Sequence, residues 1–298
     1  MTTCSQDWSD PTLPAWGTAA RAGFWVGLEQ PGPWGSKAAT QSRLDPEIGA
    51  AIEQWCLDKG GRLVLLRTPG GEDDPNKLVR RVFIAGNLSG TPWLGATELT
   101  GPASLTGLLD SLNITRADTR PTTLDRHPAL LTICTNARRD QCCALSGLPL
   151  ARSLADEHPG QVWESSHLGG HRFAATALLW PTGQVLGRLT PPLADDGLRL
   201  AERDLVFGAG PAHDRGRSHL PPERQAAEAF VRSLLPPRAP ADVTSRETDR
   251  PGEIIVSVRG DEHLVRVHKD VAPGLRKESC GKDAIATLVW RVAPLDLR

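Results

Sequence analysis

A chain of 298 residues is long enough for two or three domains, each with its own core. Its 39% hydrophobic and 23% charged content excludes a disordered polymer, and a net charge of −1 excludes a one-signed field that draws in nucleic acid or an anionic membrane. No stretch approaches bilayer-spanning length, and Met1–Trp16 lacks the basic-then-apolar order of a leader peptide, so a cytoplasmic protein with no nucleic-acid or membrane partner is expected.

Phe24–Gln30 reads as a first strand, followed by the turn-rich segment Pro31–Gly35. A helix is predicted from Asp45 to Asp58, with Asp45 as cap and Pro46 as first helical residue. Strands Arg62–Thr68, Leu78–Ala85 and Ala96–Leu99 follow, then a helix over Pro102–Leu112. A polar linker from Arg116 to Thr123 ends this block.

The next block opens with strand Ala129–Cys134 and a polar loop to Cys143. A helix is predicted from Pro149 to Glu157, and a second strand starts at Gln161–Trp163. Ala175–Trp180 and Gln184–Leu189 alternate around Pro181-Thr182-Gly183, the pattern of an antiparallel hairpin, and a helix over Pro192–Leu205 closes the block. The two blocks share one order of elements although little sequence, which suggests an internal duplication.

After a loop over Gly208–Pro222 come helix Glu223–Leu235, a proline-rich crossing, and strands near Ile254–Val258, His263–His268 and Ile285–Arg291. The predicted organisation is α/β throughout, with blocks over residues 17–115 and 126–210 and a small C-terminal α/β segment over 218–298.

Of six cysteines, Cys134, Cys142 and Cys143 crowd into ten residues, whereas Cys4, Cys56 and Cys280 are scattered and read as core fillers. In a reducing compartment such a cluster points to metal or redox chemistry more than to disulfides. Downstream, His167 and His171 flank Gly169 and Gly170, which let the backbone fold tightly. Two thiolates and two imidazoles suit zinc or an iron–sulfur centre, and residue chemistry alone leaves both metals, and Cys142 against Cys143, open. A zinc finger fits poorly, since a whole helix and strand lie between the pairs. A phosphatase nucleophile at Cys134 fits poorly too, because Asp140 stands where phosphate would need arginine. If an iron–sulfur centre forms, both histidines on one bent loop could share one iron, as in Rieske centres.

The segments Cys134–Leu145, Trp163–Ala174 and Gly187–Leu189 resemble the sucrase/ferredoxin-like family. The resemblance implies a thioredoxin-like fold for residues 126–210 and a 2Fe-2S cluster as cofactor, and the shared order of elements then makes 17–115 a degenerate relative of that unit. Carried over by position, it implies Cys134, Cys143, His167 and His171 as ligands, and its eight-residue spacing favours Cys143 over Cys142. Leu186 departs from the aromatic common in the family and leaves the ligand set untouched. Arg138, Arg139 and Arg172 flank the ligands and, with Gly169 and Gly170, form the expected surroundings of the cofactor, offsetting cluster charge or docking a partner.

The function implied is a one-electron carrier or redox-responsive protein with a redox partner protein, in which imidazole N–H groups make reduction take up a proton. Two other readings stand beside it: a zinc-stabilised interaction module, and an oxidoreductase using the cluster as internal relay. No paired carboxylates support sugar hydrolysis, and no Gly-x-Gly-x-x-Gly opens a helix. An electron carrier is thus expected over an enzyme with its own substrate site.

Overall fold

The computed structural model describes residues 3–71, 74 and 78–295. A single helical turn, α1 (Cys4–Asp7), is closed by a capping box between Thr3 and Gln6. The first block then runs β1 (Trp25–Glu29), α2 (Pro46–Asp58), β2 (Arg62–Arg67), β3 (Val79–Gly86), β4 (Trp93–Thr100) and α3 (Leu105–Leu112). Asp45 caps α2 through the Glu47 and Ile48 amides, as the Asp-Pro pair predicts. β1 pairs in parallel with β2 and antiparallel with β3, and β3 with β4, giving the order β2-β1-β3-β4.

The middle block runs β5 (Asp125–Arg126), β6 (Leu130–Cys134), α4 (Gln141–Ala155), β7 (Val162–Ser165), β8 (Ala177–Trp180), β9 (Gln184–Leu186) and α5 (Pro191–Glu202). Leaving β5 aside, β6 is parallel to β7 and antiparallel to β8, so the order β7-β6-β8-β9 repeats that of the first block. Each block is one β-α-β-β-β-α unit of thioredoxin-like topology.

β2 and β7 meet antiparallel at Leu66↔Ser165 and Arg67↔Glu164, which fuses the two units into a single sheet. Glu164 is buried and pairs with Arg67 at 2.7 Å across that junction. With β5 on one edge and β10 (Asp214–Arg217) on the other, the sheet has ten strands, in a region read from sequence as a loop over Gly208–Pro222.

This sheet coils over on itself. Phe83 on β3 and Trp163 on β7 have ring centroids 5.2 Å apart, and Trp25 on β1 lies 6.3 Å from Trp180 on β8. A flat sheet would hold those pairs roughly 14 and 19 Å apart at about 4.8 Å per strand. The enclosed face carries these aromatics with Val64, Leu66, Leu130, Leu178 and Val185. The helices cover the other face: Ile52, Leu105 and Leu109 pack on Val26 and Leu28, and Leu150, Leu154 and Leu198 on Leu131 and Ile133.

The tail consists of α6 (Pro222–Ser233), β11 (Val243–Glu247), β12 (Glu253–Val258), β13 (Asp261–Val271), β14 (Arg276–Lys277), β15 (Ala284–Ile285) and β16 (Leu288–Pro294). β11, β12, β13 and β16 form an antiparallel sheet on which α6 packs, and β14 and β15 form a separate short ladder. The strand expected over Ile285–Arg291 is therefore two, broken at Ala286-Thr287.

The helix predicted to begin at Pro149 begins eight residues earlier, at Gln141. Pro149 sits mid-helix, and Asp140 supplies the cap by accepting from the Cys142 amide at 3.0 Å. Cys142 and Cys143 consequently stand in the first turn of α4 rather than in a loop ahead of it.

Candidate metal centre

The parallel pair β6 and β7 ends in two loops that carry the expected ligands. Cys134 is the last residue of β6 and Cys143 lies in the first turn of α4. The two are drawn together because α4 approaches β6 closely at Gly147, where an added Cβ would lie 2.3 Å from the Cys134 carbonyl oxygen. Asn136 Nδ2 donates to the Gly35 carbonyl at 3.1 Å, tying the cysteine loop to the corresponding loop of the first unit.

The histidine loop is anchored at both ends. Ser166 exchanges two hydrogen bonds with Leu65, amide to carbonyl at 2.8 Å and Leu65 amide to Ser166 Oγ at 2.9 Å. Gly169 and Gly170 take φ of +80° and +69°, and a Cβ at Gly170 would also collide with the Arg215 guanidinium. Arg215 is fully buried beneath the loop: Nη1 donates to the Gly169 carbonyl at 2.9 Å, and other nitrogens reach the Thr18 hydroxyl and carbonyl. Burial pulls its guanidinium down to about 9, which leaves it charged at neutral pH.

With both loops so held, ligand atoms of Cys134, Cys143 and His167 all lie within 4.8 Å of one another, and His167 Nδ1 is 4.0 Å from Cys134 Sγ. His171 stands one ring further out, its centroid 5.4 Å from that of His167 and tilted by 30°. Its Nε2–H donates to the Glu278 carbonyl at 2.7 Å, which fixes the tautomer. Its Nδ1 is buried with no hydrogen-bond partner among the described residues. A buried imidazole lone pair without a donor is costly by itself and is what a metal ligand requires.

The Cys143 thiol donates to the Cys134 sulfur and so holds Cys134 well below the ordinary thiol range, while the same pairing raises Cys143. Cys134 is the first thiolate the pair forms. Burial pushes the His171 imidazole below its ordinary value, against the Asp140 carboxylate, which acts to raise it, so the neutral ring a metal needs is favoured. Two buried sulfurs and the His167 nitrogen, with the His171 ring next to that of His167, therefore fit a soft metal centre with mixed ligation.

The flanking arginines separate in role. Arg138 and Arg139 are exposed on the turn before α4, and Arg139 lines a cleft of about 450 Å³ that also reaches His167. Arg172 packs over Trp8 at 4.9 Å and Phe173 at 4.8 Å, and its guanidinium lies 3.8 Å from Glu278. Arg215 and the Glu278 carbonyl, which hold the histidine loop and the His171 ring, had no sequence signal, since both come from distant segments.

The family model for sucrase/ferredoxin-like proteins matches residues 15–197, more than half of the chain. The chain belongs to the sucrase/ferredoxin-like family. No curated protein and no solved structure matches it. The family match covers both loops of the centre and both thioredoxin-like units apart from the C-terminal part of α5 beyond residue 197, while α1, β10 and the whole tail lie outside it.

Proposed function

We propose that this sucrase/ferredoxin-like protein is a one-electron carrier or redox-responsive protein whose 2Fe-2S cluster is held by Cys134, Cys143, His167 and His171. The observation that carries the reading is the meeting of the Cys134 and Cys143 sulfurs with a His167 nitrogen within 4.8 Å, with the His171 ring 5.4 Å from that of His167 and its buried Nδ1 unpartnered among the described residues. A bound cluster would supply the electron-accepting iron pair, with bis-imidazole ligation raising its potential.

The chain's own groups set access and proton handling. His171 keeps its outer proton on the Glu278 carbonyl. His167 lines the cleft with Lys37, Arg62 and Arg139, so its ring faces a redox partner docked there. Three cations against Glu53 on that rim favour an acidic partner protein. No helix among the described residues is long and apolar enough to cross a membrane.

Iron and acid-labile sulfide analysis of the aerobically purified full chain tests this. About two irons and two sulfides per chain are expected. A colourless protein without labile sulfide would overturn the reading.

A further inference from the structure

Cys4 and Cys280, which read from sequence as core fillers, meet Cys142 at one point. Cys4 opens α1, Cys142 sits in the first turn of α4, and Cys280 lies between β14 and β15, so three distant parts of the chain converge. The Sγ–Sγ separations are 3.4 Å for Cys4–Cys142, 3.4 Å for Cys142–Cys280 and 3.7 Å for Cys4–Cys280. The Asp140 carboxylate oxygens lie 3.7 and 3.8 Å from the Cys4 sulfur, and one ligand atom from each of the four residues falls within 4.8 Å of the others.

These distances discriminate between chemistries. A disulfide needs sulfurs about 2.05 Å apart and uses thiols in pairs, so it would strand one of three equivalent neighbours. A tetrahedral ion with metal–sulfur bonds of about 2.3 Å sets its sulfurs about 3.7 Å apart, close to all three separations here. Asp140 is held ready by its other contacts: Oδ1 accepts from the Cys142 amide at 3.0 Å, and Oδ2 from the Cys280 amide at 2.8 Å and Ser279 Oγ at 3.0 Å. His171 Nε2 is 3.6 Å from the same Oδ2.

We infer that Cys4, Cys142, Cys280 and Asp140 form a second, structural zinc site. Three thiolates and one carboxylate oxygen are a closed donor set for a borderline-soft ion without redox chemistry. Cys4, Cys142 and Asp140 are buried and Cys280 half-buried, which leaves no open coordination position for a substrate. The ion fastens both ends of the chain onto the start of α4, and it holds Glu278, two residues before Cys280, where its carbonyl receives the His171 proton. Two of the four donors lie outside residues 15–197, so the site goes beyond what family membership implies and does not rest on the cluster reading.

Zinc and iron are counted separately on the desalted full chain, together with Cys4→Ser, Cys280→Ser and the Cys134→Ser/Cys143→Ser pair. About one zinc per chain is expected, lost roughly tenfold or more in Cys4→Ser and in Cys280→Ser and retained in the Cys134→Ser/Cys143→Ser variant. Because Cys4→Ser changes a buried residue, alkylation of the unmodified chain gives a second readout: Cys4, Cys142 and Cys280 should be protected until a chelator strips zinc. Iron without zinc in the unmodified chain, zinc that survives Cys280→Ser, or equal alkylation before and after chelation would each overturn the inference. Zinc without iron would sink the cluster reading and leave this one standing.

Discussion

Arg215 Nη1 donates to the Gly169 carbonyl at 2.9 Å, so a guanidinium from β10 sets the conformation of the loop that presents both histidines. The same guanidinium fills the space that a Cβ at Gly170 would need.

Gly170→Ala should therefore damage the centre twice, by forcing a side chain onto φ +69° and by displacing Arg215. Iron per chain should fall roughly tenfold, the scale on which groups orienting metal ligands act. Arg215→Lys, which keeps the charge but loses the fork, should fall in between. Metal analysis checks both, and full occupancy in Gly170→Ala would count against the loop geometry.

Replacing both imidazoles by thiolates, as in His167→Cys with His171→Cys, should keep a cluster and lower its midpoint potential by roughly 200 mV or more. In the unmodified protein the potential should fall by about 59 mV per pH unit over the window in which reduction takes up one proton, and the double variant should lose that slope. Protein-film voltammetry from neutral to alkaline pH reads both effects. A flat potential in the unmodified protein would contradict proton uptake at the rings.

Arg217 is fully buried and joins four parts of the fold. It donates to Glu228 at 3.3 Å, to the Pro240 and Val243 carbonyls and to the Leu88 carbonyl. Glu228 and Asp214 in turn pair with Arg232. Arg217→Met would leave a buried carboxylate and three carbonyls short of donors, at a cost of about 3–5 kcal/mol. Urea unfolding measures it, and a loss under about 1 kcal/mol would show that the network carries little.

Burial, reinforced by Arg217, Arg224 and Arg232, pulls the His219 imidazole down to about 2. The unfolded chain takes up a proton there near the ordinary 6.5 while the folded chain does not, so this contribution is fully present above pH 6.5. It is lost as pH falls, at up to about 1.4 kcal/mol per unit. His219→Gln should flatten the decline in urea midpoint between pH 7 and pH 5. An unchanged decline would place the acid sensitivity elsewhere.

The meeting of Cys134, Cys143 and His167 was legible because the three lie close in sequence, at the end of β6, in the first turn of α4 and in the loop after β7. The start of α4 was not, since Pro149 carried the stronger helix-start signal and Asp140 outranked it only through its bond to the Cys142 amide. Strand β10 was read as loop because Asp214–Arg217 has no apolar residue, yet it is buried through ion pairs that reach α6. The contact of Trp25 with Trp180 and the meeting of Cys4 with Cys280 join residues more than 150 positions apart, and no local pattern encodes either.

The central claim is that two imidazole nitrogens and two thiolates surround one iron pair, and pulsed electron paramagnetic resonance of the reduced protein tests it most directly. With histidine labelled by nitrogen-15, the account predicts two strongly coupled nitrogens that vanish in the His167→Cys, His171→Cys variant. A spectrum with no directly bound nitrogen, or one unaffected by that substitution, would contradict it.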